Sequence, residues 1–179
     1  MSRAGLRWLR LALLLAGGVS PSPGAALEPR FDHRDQWGLL AELELARDSV
    51  VKDGLTNPSF RTALRLGCSL DVSGEGDELQ LGASLRLGGL EDPDGTKVLS
   101  SLDARYRAYF GLEEVKTFVE VGLWASLASP LSLGALVGVG VAYDPSRDWG
   151  LYVSAQFNGG YGEARVSSVG LNAGAQLRW

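Results

Sequence analysis

Seven charged residues alternate with small or apolar ones along the chain, and their types and spacing are the ones that could do chemistry. They are Glu42, Glu44, Arg65, Arg86, Arg105, Arg107 and Glu120. Side chains at every second position of an extended strand project from one face. If the strands bring these groups together, the groups either form ion pairs, because an unpaired buried charge costs several kcal/mol, or line a narrow path for ions.

The residue types of the chain give little support to a catalytic function. General-base chemistry on an ester usually recruits histidine, and the chain has one histidine, His33. His33 precedes the first predicted strand, and no His-x-Ser pattern lies on a strand. A lipid A-modifying enzyme is therefore the least favoured function, and we predict no catalytic residue.

One acidic segment, EDPDG at residues 91–95, is similar to part of a calcium-binding loop, in which alternating carboxylates supply oxygen ligands. The same residues also make a turn, since Pro sets φ and Gly accepts a positive φ. We predict a turn here, with no metal and no cofactor. Cys68 is the single cysteine, so an internal disulfide is excluded.

The elements that must position the charges are strands, because apolar and polar residues alternate with period two and no stretch has a helical period. The predicted strands are residues 37–47, 62–73, 78–88, 98–111, 116–127, 131–144, 149–158 and 165–179. Each is roughly ten to fourteen residues long, whereas a soluble strand averages about five or six and a tilted membrane-crossing strand needs about ten. The sequence therefore predicts an all-β, antiparallel up-and-down barrel of about eight strands.

The apolar face of this barrel is predicted to point outward. A soluble ligand-carrying barrel also has eight strands, but its apolar face points inward. About forty apolar side chains would then have to fit inside, and an eight-stranded barrel encloses only a modest core. The polar face instead carries many glycines, which suits a narrow lumen.

Aromatic residues give an independent indication of a membrane. Threading the strands up and down places five of them on the outward face at one rim, namely Trp37, Phe110, Tyr143, Trp149 and Trp179. Amphipathic rings are favoured at the level of the lipid headgroups, where they form a girdle.

Residues 1–26 have the layout of a secretory signal peptide. Arg3, Arg7 and Arg10 flank an apolar run over residues 11–19, and prolines and small residues follow it. The run is roughly ten residues long, whereas a membrane-spanning helix needs about 20. We therefore predict cleavage near Ala26 and one mature domain, residues 27–179.

The last eight residues, NAGAQLRW, end on an aromatic carboxyl terminus. The polar Asn172, then Gly174, then the hydrophobic Leu177 and Trp179 resemble the carboxy-terminal assembly signal of bacterial outer-membrane barrels. The resemblance implies recognition by the barrel-assembly machinery. Together with the signal peptide and the strand count, it makes residues 27–179 similar to a small outer-membrane barrel of the OmpA-domain or OmpX type.

The net charge of the chain limits the class of partner that the protein can bind. Residues 1–26 hold arginines but no acidic residue, so their loss makes an already acidic chain more acidic. An acidic chain argues against a nucleic-acid partner.

We predict a monomeric, non-enzymatic barrel of the Gram-negative outer membrane, surrounded by outer-membrane lipid and plugged by paired charges. Its expected role is structural or surface-interacting, with a surface or envelope protein as partner. The alternatives are a narrow channel for ions or small solutes and a barrel subunit of an envelope-spanning complex.

Overall fold

A computed structural model describes residues 36–52, 54–72, 77–89, 99–111, 114–127 and 131–179. The predicted signal peptide, His33 and residues 91–95 lie outside this part of the chain. In chain order the strands are β1 (Trp37–Lys52), β2 (Leu55–Asp71), β3 (Glu78–Gly89), β4 (Leu99–Phe110), β5 (Val115–Ser126), β6 (Ser132–Tyr143), β7 (Trp149–Gly162) and β8 (Arg165–Arg178). Among the described residues, no helix is long and apolar enough to cross a membrane.

The eight strands form a closed barrel. Each strand pairs antiparallel with the next, and β8 pairs with β1, for example through Leu43 and Ala173. Trp37 and Trp179 lie at one end of the barrel, named the terminal rim; the opposite end, which carries the turn between β1 and β2, is the loop rim. The predicted fold class, an all-β antiparallel barrel of eight strands, is confirmed.

Alternation along each strand separates an apolar outer face from a polar inner face. On β8, Leu171 is 66% exposed while the neighbouring Asn172 is 3% exposed. The same alternation runs through β7, where Val153 is exposed and Ser154 is buried. The apolar side chains therefore cover the outside of the barrel, as predicted, because a narrow lumen cannot contain them.

Glycines on the inner wall make room for the few large side chains inside. A methyl group added at Gly140 would collide with the ring of Phe118, and one added at Gly174 would collide with the ring of Tyr152. Phe118 and Tyr152 are both buried. The predicted enrichment of glycine on the polar face thus has a steric cause, because each ring lies directly against the backbone of the neighbouring strand.

Three strands extend beyond their predicted ends, because β1, β2 and β7 were predicted to cover residues 37–47, 62–73 and 149–158. Residues 48–60 continue β1 and β2 as a paired hairpin, with Val50 opposite Asn57, and the chain turns near Gly54, which has a φ of 79°. Residues 159–162 likewise belong to β7. Polar residues and Pro58 resemble a loop sequence, but proline is tolerated in a strand at a sheet edge, and each added residue pair contributes ladder hydrogen bonds.

Candidate functional site

The lumen holds the charged side chains in three groups. The largest, named the central layer, consists of Glu42, Arg65, Asp103, Arg105, Arg107 and Glu120, all buried. It contains three carboxylates and three guanidinium groups, so its formal charge is balanced. These side chains come from β1, β2, β4 and β5, on which alternation turns them inward.

Asp103 is the hub of the central layer. Its carboxylate accepts hydrogen bonds from Arg65, with Nη2 at 2.6 Å, and from the Nε of Arg105 at 2.8 Å. Charge-assisted pairs of this length are the strong class of protein hydrogen bond. One carboxylate therefore holds two guanidinium groups in place.

Glu42 connects opposite walls of the barrel. Arg105 donates to it from Nη1 at 3.2 Å, and the hydroxyl of Tyr152 on β7 donates to it at 2.8 Å. These partners are 63 and 110 residues away along the sequence. The contacts therefore run across the lumen rather than along one wall.

Arg107 is enclosed by aromatic rings. Its guanidinium carbon lies 4.1 Å from the ring centre of Phe118 and 4.3 Å from that of Tyr152. Its Nη2 donates to Glu120 at 2.9 Å. A planar, weakly hydrated cation is the group best suited to such a site, because it stacks on rings while its edge donates to a carboxylate.

A second group, named the terminal layer, lies in the lumen toward the terminal rim. Asp144 accepts from Lys116 and from Arg178, each at 3.0 Å. Glu78 lies 3.5 Å from Arg178 and accepts from the hydroxyl of Tyr109 at 3.2 Å. Two cations and two carboxylates therefore balance here as well.

The third group, named the loop-side layer, lies toward the loop rim. Both Nη atoms of Arg61 donate to Glu44, at 3.0 and 2.8 Å, and its Nε donates to Asp48 at 2.9 Å. Beside it runs a chain of amides in which Asn172 donates to Gln156 at 2.7 Å. A cavity of about 160 Å³ lies next to these groups, with Asp103 and Arg105 among its walls.

Six of the seven charged residues predicted to face the lumen lie inside it as buried side chains with charged partners, and five of them belong to the central layer. The seventh, Arg86, lies at the cavity wall and is half-buried. Sequence reasoning missed Asp103, Arg61 and Asp48, and it also missed the four charged residues of the terminal layer, Lys116, Asp144, Glu78 and Arg178. Asp103 precedes Arg105 by two residues and so shares its face, which is a signal that the alternation already contained.

The predicted girdle residues all lie near the terminal rim, at or beside strand ends. Trp37, Tyr143, Trp149 and Trp179 are exposed on the outer face, whereas Phe110 is half-buried at the end of β4. The arrangement places amphipathic rings together at one level of the barrel.

The predicted assembly signal occupies the seam at which the barrel closes. Asn172 is buried and Gly174 lies against the Tyr152 ring, while Leu177 is exposed on the outer face. Trp37 and Trp179 exchange two backbone hydrogen bonds, at 3.2 and 3.0 Å. The last residue is thus joined to the first strand.

The lumen is chemically suited to pairing charges. Within the described ranges, no group of three or more His, Cys, Asp or Glu side chains could hold a metal ion. The carboxylates of the central layer each face at least one guanidinium group. Such an arrangement can hold a barrel section closed and can order polar groups around the adjoining cavity.

Comparison with known proteins gives a fold. Sequence comparison finds no matching family model and no significantly similar curated protein. Neisserial surface protein A, NspA, is 16% identical and aligns over 80% of this chain and 97% of its own length, with a TM-score of 0.62. Ail, the attachment invasion locus protein of Yersinia pestis, is 12% identical over 82% of this chain and 99% of its own, with a TM-score of 0.48. The closed barrel and the likeness to NspA together show that the chain has the fold of a small eight-stranded outer-membrane β-barrel.

Proposed function

We propose that this protein is a non-enzymatic barrel of the bacterial outer membrane whose lumen is closed by paired charges and whose role in the cell envelope is structural or surface-interacting. The observation that carries the proposal is the central layer, which joins β1, β2, β4 and β5 and reaches β7 through Tyr152. An ion crossing this layer would have to break charge-assisted bonds between buried groups, and breaking a buried pair is costly.

Conductance across a planar lipid bilayer tests the closed lumen. We expect no steady conductance from the wild-type protein. The double variant Glu42→Ala, Arg105→Ala removes one carboxylate and one cation, so it keeps the charge balance while cutting the contacts across the lumen. We expect this variant to show discrete openings.

The matched control is the double variant Glu44→Ala, Arg61→Ala. It also removes one carboxylate and one cation, but from the loop-side layer, and leaves the central layer intact. It should stay closed. Steady, ion-selective conductance of the wild-type protein would replace the proposal with the narrow-channel function.

The hairpin of β1 and β2 supports a surface-interaction role. Beyond the last pair of β2 with β3, at Arg61 and Gly89, β2 continues through residues 55–60 and pairs with β1 alone in the described part of the chain. Leu55 and Phe60 are exposed on this extension. In an outer-membrane barrel with periplasmic termini, the extension lies on the cell surface and is available to a surface or envelope protein.

Shortening the hairpin tests this role separately. Replacing residues 50–57 with Asn-Gly joins the paired Ser49 and Pro58 by a two-residue turn, the tightest connection that keeps their register. When whole cells are treated with a chemical cross-linker, we expect the wild-type protein to form a cross-linked product with a surface or envelope protein. We expect the variant to assemble normally and to form no such product. An equal yield of the cross-linked product from the variant would show that the partner contacts another surface.

Lipid A analysis tests the absence of enzymatic activity. A deletion strain and a strain that overproduces the protein should have the same lipid A mass spectrum as the parent. A mass change that depends on the protein would assign it an activity on lipid and overturn the non-enzymatic role.

A further inference from the structure

The cavity beside the loop-side layer has a wall rich in neutral polar groups. Its lining includes Ser84, Ser101, Ser126, Ser168, Gln156 and Asn158. Hydroxyl groups both donate and accept hydrogen bonds, and a side-chain amide does both with its two ends. Gln156 donates to Asn158 at 2.6 Å and Asn158 donates to Ser168 at 2.9 Å, and each amide keeps a second N–H and a second lone pair. A wall of this kind matches a ligand that itself carries several hydroxyl groups around a small frame.

The charges around the cavity balance one another. The charged lining residues are Glu44, Asp48, Asp103, Arg61, Arg86 and Arg105, three carboxylates and three guanidinium groups. Arg61 already donates to Glu44 and Asp48 through three nitrogen atoms. Arg105 likewise donates to Asp103 and Glu42. A charged ligand at Arg61 or Arg105 would have to displace one of these partners, whereas an uncharged one would not.

Trp124 supplies a flat apolar surface on the same wall. Its indole lies against Gly134 and Gly160, where an added methyl group would meet the ring at 2.7 and 2.6 Å. Its Nε1 donates to the backbone oxygen of Ala135 at 3.3 Å. The ring is therefore held by the wall while its remaining surface lines the cavity. The negative face of an aromatic ring attracts the positive edges of C–H bonds.

The size of the cavity limits the ligand to one small ring. Its volume is about 160 Å³. A protein cavity of about 150 Å³ holds a benzene molecule, which is a bare six-membered ring. A sugar ring with its hydroxyls has about twice as many heavy atoms, so part of it would project through the open end of the cavity toward the loop rim. An oligosaccharide would have to extend past the loop rim.

We propose that this cavity binds a single sugar ring or another small cyclic polyol, with the C–H face of the ring on Trp124 and its hydroxyls on the serine and amide groups. Ser126 is the last residue of β5, so the cavity reaches the loop rim, which is the cell-surface side in the proposed orientation. The proposal goes beyond the envelope role and requires no particular protein partner.

Saturation-transfer NMR on the folded protein tests the proposal. The protein is held in lauryldimethylamine oxide micelles, because a sugar-based detergent would compete. The probes are glucose, galactose and myo-inositol, with glucuronate as a charged ring and cyclohexanol as a ring with one hydroxyl. We expect transfer to at least one of the three neutral polyols and weaker transfer to both comparison rings.

Two variants place the binding in the cavity. Ser101→Leu fills the cavity, and Trp124→Leu removes the aromatic face; each should weaken binding at least about tenfold. Their matched controls are Ser167→Leu, on the opposite face of its strand from the buried Ser168, and Trp149→Leu, on the outer face at the terminal rim. Both controls should bind as the wild type does, and a heat-dependent gel shift verifies that every variant is folded.

Three results would overturn the proposal. The first is absence of transfer to all three neutral polyols, which would leave the cavity to water. The second is transfer to glucuronate alone, which would assign the cavity to an anion. The third is equal transfer in the wild type and in folded Ser101→Leu, which would place binding elsewhere on the surface. None of these results depends on whether the lumen conducts ions, so the closed-barrel function and the ligand site fail separately.

Discussion

At the scale of single residues, Asp103 has the largest expected energetic effect in the lumen. It accepts bonds from two buried arginines, Arg65 and Arg105. Removing one partner of a buried ion pair costs about 3–5 kcal/mol, because the other charge stays buried. We expect Asp103→Leu to lower the free energy of unfolding by about that amount, measured by urea unfolding in lipid vesicles.

Asp148 is the control for this substitution. It is exposed in the turn between β6 and β7, so Asp148→Leu should change the free energy of unfolding by less than about 0.5 kcal/mol. Equal effects of the two substitutions would contradict the assigned role of Asp103.

Arg107 tests the contribution of the aromatic rings. Arg107→Lys keeps a positive charge near Glu120 but loses the planar group between Phe118 and Tyr152. We expect a loss of about 1–2 kcal/mol in the same unfolding measurement, since a desolvated cation–π contact contributes about that much. Arg147→Lys, at an exposed position beyond β6, should have no measurable effect. If Arg107→Lys left the free energy of unfolding unchanged, ion pairing alone would hold the site.

Leu66 tests the lipid-facing surface. It is exposed on the outer face of β2, in the paired middle of the strand. Leu66→Arg should cost about 2–4 kcal/mol if the position lies at mid-membrane, and Leu55→Arg, at the hairpin tip, should cost about 0–1 kcal/mol. Refolding equilibria in vesicles measure both. Similar small costs would mean that β2 does not face hydrocarbon.

At the scale of elements, the seam between β1 and β8 decides whether the barrel closes. Trp179 is exposed on the outer face and bonded through its backbone to Trp37. We expect Trp179→Ser to reduce the folded, heat-modifiable fraction in membranes several-fold, because the proposed assembly signal loses its terminal aromatic group. Leu55→Ser, exposed at the hairpin tip, is the control and should assemble normally. Normal assembly of Trp179→Ser would contradict the hypothesis that residues 172–179 are an assembly signal.

The strands could be predicted from sequence because alternation is a local property. Leu64, Arg65 and Leu66 already show which side of β2 faces out of the barrel. The extension of β1 and β2 could not be predicted in the same way, since residues 48–60 do not keep a regular alternation and contain the turn-forming residues Gly54 and Pro58. Their pairing depends on a partner strand that supplies hydrogen bonds.

The partners within the lumen depend on strand register and barrel tilt. Arg65 meets Asp103, 38 residues away, and Arg105 meets Glu42, 63 residues away. Nothing local in the sequence specifies these distances, because they follow from how far each strand is shifted against the next. The alternation therefore contains the inward direction of these charges, although only part of the set was predicted from it, and the identity of each partner could not be predicted.

At the scale of the whole molecule, charge and polarity are arranged radially. Exposed leucines and valines cover the outside, and paired charges fill the inside in the terminal, central and loop-side layers. A surface of this kind is stable only where lipid replaces water around it, since large exposed apolar areas drive association in water. The same arrangement leaves a polar cavity near the loop rim.

The most direct test of this arrangement is cell fractionation followed by gel electrophoresis of the full-length product, with and without boiling. We predict that the protein is found in the outer-membrane fraction and that the unboiled band migrates differently from the boiled one, because a closed barrel resists detergent. A soluble periplasmic protein with a single mobility would mean that the apolar face does not meet lipid, and it would contradict the account.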